Sequence, residues 1–435
     1  MNVLLITFSF PPAGGVGVLR ALSLAKYLPE ADIRVDVLTA SNAPAVGRDL
    51  ELLRQVPSSV TVHRTWTLDL PFGVRKRIKK LLFRNRSQKA PSSENTGNRN
   101  FAGRIRKIFA NLLLPDPQIG WLPFAHPAAR RIIRERNIDA VIITVPPFSS
   151  VKLAPKLRKM FPSLPIIVDF RDEWLSTTIR FVSFNKDQRA YDVARHTESD
   201  AVKAATTVVA VTENAVRELR KRYPEYGAEK FVCIPNGFDT AIQQPSIPSV
   251  SGKVLITYIG SVYGSTDPTT FLDAVAQLPP HIKSSLQIRF IGRIEGEAYQ
   301  EAFKKVEEVV HLRGFVPQTE ALSLLNESHY ALLITHDPVN VSAKFYDYLG
   351  ATKPILAAVH PEGEVKQMVE DLRAGWCADI DDSVSIRQML VDAVYRAQKN
   401  ENTYRPDLQK IALYHRQPLA QRYAQLLRGI GGVRS

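Results

Sequence analysis

Five short stretches of this chain hold residues whose types and spacing suit chemistry. The first is PPAGGVGVLR, residues 11–20, where Gly14, Gly15 and Gly17 follow an apolar run and precede an amphipathic one. Glycines there let a backbone approach a ligand, and a helix start offers free N–H groups to an anion. A dinucleotide fingerprint counted from Gly15 needs a third glycine where Arg20 stands, so that fingerprint fails. The stretch reads as an anion-binding loop or as a tight turn.

The second is VDFRDEW, residues 168–174, which places Arg171 and Asp172 just beyond an apolar run. Polar groups outside the carboxyl end of a parallel strand sit where open α/β sheets bind ligands. The alternative is an Arg–Asp pair that braces a loop. The third, PDPQIGWLPFAH, contains Trp121, Phe124 and His126. An aromatic platform for an acceptor and an acid or base at His126 are one reading; core packing is the other. The fourth is the turn-like PNGFD at residues 235–239.

The fifth is SAKFYDYLGATKPIL, residues 342–356. Lys344 offers a point charge to a phosphate, and Asp347 follows one helical turn later on the same face. An acid there can accept hydrogen bonds from ribose hydroxyls; an exposed ion pair is the plainer reading. The chain contains no H-E-x-x-H, no paired C-x-x-C, no Walker lysine loop and no G-x-S-x-G.

These stretches sit at the joints of a repeated pattern. Apolar runs at 2–8, 35–39, 60–63, 140–144, 166–169, 207–211 and 231–234 alternate with amphipathic segments. The alternation restarts after a polar stretch at 243–253, with runs at 254–260, 287–292, 311–313, 330–335, 354–358 and 375–378. Near-continuous Val, Ile and Leu runs predict strands covered on both faces, and their alternation with helices predicts parallel sheets. Two α/β domains follow: residues 1–242 and 243–407, with a terminal helix pair at 408–435 broken at Pro418.

A chain of 435 residues with 45% hydrophobic and 23% charged content is ordinary for a globular protein. Its net charge of +14 is concentrated. Residues 71–107 hold twelve Lys and Arg against one acid, Glu94. RKRIKKLLF and RIRKIFANLLL, between residues 75 and 114, read as basic amphipathic pieces around a flexible loop at about 86–103, in a basic region of about 73–107. They suit an anionic membrane surface, where each basic residue contributes about 1 kcal/mol; a solvated charged helix is the alternative. No nucleic-acid module accompanies the charge. Two cysteines, Cys233 and Cys377, in a chain this long point to a reduced compartment and buried thiols. The N-terminus lacks a signal peptide's basic region, and no stretch approaches a transmembrane span, so a cytoplasmic or peripheral protein is expected.

Taken together and in this order, the stretches resemble the GT-B glycosyltransferases, in particular the retaining glycosyltransferase family four. The resemblance runs through PPAGGVGVLR, DPQIGW, IDAVIITVPPFSS, VDFRDEW, AVTENA, IPNGFD, YIGSVYG, HLRGFVP and AKFYDYLGATKPILA. It implies two Rossmann-like parallel-sheet domains facing across a cleft, with acceptor on the N-terminal domain and nucleotide-sugar donor on the C-terminal one. It implies that Lys344 meets the donor diphosphate and Asp347 the ribose. Gly14, Gly15, Gly17, Gly260, Ser261 and Arg293 would complete the donor contacts. His126 and Asp172 would stand as catalytic candidates, with Trp121 and Arg171 on the acceptor side. It implies no metal and no cofactor.

Two positions depart from the family pattern. The acid expected eight positions before Asp347 is replaced by Val339, with Asp337 nearby, and GSVYGSTDP at 260–268 lacks the usual Arg and Lys. The expected function is transfer of a hexosyl unit from a nucleotide sugar to a glycan or lipid-linked glycan in surface polysaccharide synthesis. A non-catalytic GT-B scaffold or binding subunit is the second reading, and a nucleotide-sugar epimerase the third.

Overall fold

A computed structural model describes residues 1–43, 47–68, 113–176, 188–242, 244, 252–399 and 403–431. The chain forms two compact units. The first comprises Met1–Ala210, Arg220–Val232 and Ala420–Ser435; the second comprises Val211–Leu219 and Cys233–Leu419.

The sheet of the first unit is built from β1 (Asn2–Ile6), β2 (Arg34–Ala40), β3 (Thr61–Thr65), β4 (Ala140–Val145), β5 (Ile166–Phe170), β6 (Thr207–Ala210) and β7 (Phe231–Cys233). Its order is β3-β2-β1-β4-β5-β6-β7. Pairing is parallel from β3 to β6, with Ile6 opposite Ile143 and Asp169 opposite Val209. Val3 to Ile6 and Val141 to Ile143 are fully buried, as their unbroken apolar runs require.

The second unit repeats the plan with β8 (Val254–Ile259), β9 (Leu286–Ile291), β10 (Val310–Gly314), β11 (Tyr330–Thr335), β12 (Ile355–Val359) and β13 (Gly375–Asp379). The order is β10-β9-β8-β11-β12-β13, parallel throughout. Residues along β11 alternate between two cores. Tyr330, Leu332 and Ile334 pack on one face of the sheet, and Ala331 and Leu333 on the other. In each sheet the strand order reverses between the first and fourth strands, β1 and β4 or β8 and β11. Ligands of open α/β sheets bind beyond the carboxyl ends at such a point.

All thirteen strands of the described residues lie where the apolar runs predict them. The terminal break does not. The last helices are Leu408–Ala412 and Arg416–Gly431, so the chain breaks at 413–415. Pro418 sits in the first turn of the second helix, where no intrahelical N–H partner is lost. The polar stretch at 243–253 falls mostly outside the described residues, and so do the basic segment at 75–112 and the loop at 86–103. No described helix is long and apolar enough to cross a membrane.

Candidate functional site

In the second unit, β8 ends at Ile259 and the chain turns at Gly260, whose φ of 134° favours glycine. Gly292, after β9, also has a positive φ, and a Cβ there would collide with the Gly260 carbonyl. The loop is then pinned. Val262 N–H donates to the Arg293 carbonyl (2.8 Å), Glu295 N–H donates to the Val262 carbonyl (2.9 Å), and Thr266 Oγ1 donates to the Ser261 carbonyl (3.0 Å). Arg293 is exposed and lays its guanidinium 5.2 Å from the centre of the Phe315 ring.

The helix Ala343–Gly350 starts beyond β11, on the other side of the reversal. It buries Phe345, Tyr346, Tyr348 and Leu349, each worth about 1.5–3 kcal/mol, and leaves Lys344 and Asp347 on its less buried face. Lys344 reaches the Gly260 turn: a Cβ on Gly260 would lie 3.1 Å from Lys344 Nζ. The same Nζ lies 2.6 Å from Tyr258 Oη and 4.0 Å from the centre of the Tyr258 ring. Burial pushes the Lys344 ammonium down to about 7, against the opposing influence of Tyr263. Burial likewise pushes the Asp347 carboxyl up to about 6, with Arg416 opposing. A desolvated cation and a desolvated acid one turn apart, beside a glycine turn, suit a phosphate and a polyol.

PNGFD and KFYDYLG, separate in sequence, pack together. A Cβ on Gly350 would lie 2.9 Å from Phe238 Cδ2. Phe238 N–H donates to the Tyr414 carbonyl, Arg416 N–H donates to the Phe238 carbonyl, and Arg416 Nη1 lies 3.2 Å from Asp239 Oδ2. The segment after β6 has a role that spacing alone does not show. Thr212 Oγ1 donates to the Val339 carbonyl (2.8 Å), and Asn214 Nδ2 donates to the Pro338 carbonyl (2.7 Å). Buried Glu364 accepts from the backbone N–H groups of Glu213 (3.2 Å) and Asn214 (2.9 Å). Asp337 does not take up the missing acid's part. Its carboxylate accepts from Val339 N–H (2.8 Å), Asn340 N–H (3.0 Å) and Asn340 Nδ2 (3.0 Å), and so holds its own loop.

In the first unit, the glycine loop after β1 is braced from β5. Arg171 is buried, and its guanidinium donates to the carbonyls of Val145, Pro146 and Gly17. This ties Arg171 to the loop backbone, which takes it away from the acceptor. Gly15 has φ 98°, and Gly14 N–H donates to the Gly47 carbonyl (2.9 Å). Arg20, where the fingerprint fails, is buried against Asp169. Asp172 is exposed beside this loop.

Trp121 does not form a platform. It is fully buried, packs edge-on to Phe8 at 5.5 Å and donates to Thr65 Oγ1 (2.8 Å), so it belongs to the core. His126 is partly buried, and its imidazole is pushed below the usual range by burial, with Lys156 and Arg130 adding to the effect. It is therefore neutral near pH 7, and its Nε2 has no hydrogen-bond partner. Cys233 and Cys377 are half-buried, and burial pushes the Cys377 thiol up to about 12. Among the described residues, no three His, Cys, Asp or Glu side chains gather as metal ligands.

Residues 82–242 match the family described as Glycosyltransferase Family 4. Those residues carry its domain, and the chain is a glycosyltransferase of the GT-B fold. The GT-B enzyme superposes on HepE from Anabaena in complex with UDP with a TM-score of 0.63 at 15% identity, covering 99% of this chain and 100% of that one. HepE in complex with UDP-glucose gives 0.61 at 16%, with 99% and 100% covered. Sucrose-phosphate synthase from Thermosynechococcus elongatus gives 0.61 at 14% identity, with 99% of each chain covered. WaaG, a glycosyltransferase involved in lipopolysaccharide biosynthesis, gives 0.56 at 14%, covering 98% of this chain and 100% of that one. Among curated proteins there is no sequence match.

Proposed function

We propose that this glycosyltransferase moves a hexosyl unit from a UDP-sugar to a glycan or lipid-linked glycan in surface polysaccharide synthesis, with retention of anomeric configuration. One observation carries the donor assignment. The Lys344 ammonium is desolvated against the Gly260 turn, at the point where the strand order of the second unit reverses. A diphosphate there supplies an opposite charge that offsets the hydration Lys344 loses on burial. Asp347, one turn on, accepts from the ribose hydroxyls. HepE holding UDP and UDP-glucose on the same fold supports the choice of nucleotide.

In the reaction, the bond from the anomeric carbon to the distal phosphate oxygen breaks. A bond from an acceptor hydroxyl oxygen to that carbon forms, and the hydroxyl proton passes to the departing nucleotide diphosphate. Lys344 offsets the charge that develops on the leaving group, so neither a metal nor a cofactor is required. The basic residues between 75 and 114, outside the described region up to 112, are proposed to hold the enzyme on an anionic, cytoplasmic membrane face where a lipid-linked acceptor would be met.

A thermal-shift screen of the purified chain against UDP-, GDP-, ADP- and dTDP-sugars tests the reading, with Lys344→Ala in parallel. UDP-sugars are expected to raise the melting temperature of the wild type and not of the variant. Stabilisation of both proteins alike would move the donor away from Lys344. Stabilisation of neither would favour a protein that kept the fold for a scaffolding role.

A further inference from the structure

We infer that Tyr258 is a positioning residue for Lys344, its hydroxyl and ring face together aiming the ammonium at the Gly260 turn. The inference rests on the reading of Lys344 as the diphosphate contact. Tyr258 is fully buried near the end of β8, with its ring stacked on Phe290 at 4.8 Å, so the phenol cannot swing. Its one hydroxyl proton goes to the Ser261 carbonyl (3.0 Å), which leaves a lone pair to accept from Lys344 Nζ at 2.6 Å. The ring face adds a second attraction, with Nζ 4.0 Å from its centre.

Among the described residues, Tyr263, in the loop after β8, also acts on this ammonium. Asp347 on the same helix is turned to the influence of Arg416. A carboxylate in place of Tyr258 would hold Lys344 as a closed ion pair. A phenol, pushed up to about 12 by burial, stays neutral and releases the cation to a phosphate. The stretch GSVYGSTDP has no Arg or Lys to share the diphosphate, so the aim of Lys344 carries more of the binding.

The test is calorimetric binding of UDP-glucose from pH 5.5 to 9 by the full chain, Tyr258→Phe and Lys344→Ala. The diphosphate of UDP-glucose keeps its charge across this range, and its uracil begins to ionise only near pH 9. The wild type is expected to bind best between about pH 6 and 7, more weakly below as Asp347 gains a proton, and progressively more weakly above as Lys344 loses one; the upper breakpoint is the one read here. Tyr258→Phe is expected to bind about tenfold more weakly at pH 7.5. Its breakpoint should move about one pH unit lower, because the cation has lost an acceptor. A general loosening of the fold would weaken binding at every pH without moving the breakpoint. A second measurement needs no donor: the pH dependence of Lys344 acylation by acetic anhydride, read by mass spectrometry, should shift the same way. An unchanged breakpoint and an unchanged acylation profile in folded Tyr258→Phe would overturn the inference. Full UDP-glucose binding by Lys344→Ala would instead overturn the donor reading, and the acylation profiles would still decide whether Tyr258 positions the lysine.

Discussion

Arg20 and Asp169 form a two-pronged pair inside the first unit, with Nη2 2.9 Å from Oδ1 and Nε 3.0 Å from Oδ2. Tyr423 closes the triangle, donating to Asp169 Oδ1 (2.8 Å) and accepting from Arg20 Nη2 (2.6 Å). Burial alone would raise the Asp169 carboxyl, but the Arg20 guanidinium and the hydrogen bonds around it hold it below the usual range. The helix that follows the glycine loop is thereby fixed to the end of β5.

Removing Asp169 leaves a buried guanidinium without its charge partner. Asp169→Ala should cost about 3–5 kcal/mol of unfolding free energy, measured by urea denaturation. Tyr423→Phe removes a hydroxyl that donates to the carboxylate and accepts from the guanidinium, and should cost about 1.5–3 kcal/mol. If Asp169→Ala costs no more than Tyr423→Phe, the pair is not the anchor described.

Gly260→Ala should damage binding more than a cavity-forming change elsewhere. The φ of 134° costs a side-chain-bearing residue about 1–3 kcal/mol. The new Cβ would also crowd Lys344 Nζ at 3.1 Å. We expect a lower denaturation midpoint and at least about a tenfold loss of UDP-sugar affinity. Wild-type affinity in the variant would show that Lys344 is free to move aside.

The strands were legible because buried parallel strands need unbroken apolar runs, and Val3–Ile6 or Ile142–Val145 admit little else. Lys344 and Asp347 were legible as one turn of a helix. What the sequence hid depends on contacts between distant positions. Tyr258 looks like one more apolar strand residue until its hydroxyl is seen at Lys344. Trp121 has the composition of a sugar platform and the surroundings of a core residue. Arg171 reads as a free charge beside a strand end, yet each of its three nitrogens donates to a backbone carbonyl, those of Val145, Gly17 and Pro146. Asp337 is near enough in sequence to replace an acid at 339, but its carboxylate caps its own loop.

Transfer should persist in excess EDTA. The leaving diphosphate is offset by Lys344 in the proposed reaction, so a divalent ion has no required part. Product formation from a UDP-sugar would be followed with and without chelator, then with added Mg²⁺ or Mn²⁺. Loss of turnover with EDTA, restored by either ion, would require a metal beside the diphosphate and reduce the part given to Lys344.

The pH dependence of stability should expose the cost of the donor site. The Asp347 carboxyl titrates near 6 in the folded chain against 3.8 ordinarily. Between those values the native state binds more protons than the unfolded one, so this group makes stability fall as pH rises, and the full cost persists above about 6. Lys344 behaves in the opposite sense. It titrates near 7 when folded against 10.5 ordinarily, so its cost is complete below about 7 and fades as pH climbs toward 10.5. Asp347→Asn should therefore raise the melting temperature at pH 8 and leave it nearly unchanged at pH 4. Lys344→Met should raise it at pH 6, with the gain shrinking by pH 9. Both variants should bind UDP-sugar more weakly, because the desolvation that strains each group is the same feature that readies it for the ligand. Scanning calorimetry at these four pH values checks the pattern, and a gain for Asp347→Asn that is equal at pH 4 and pH 8 would remove its basis.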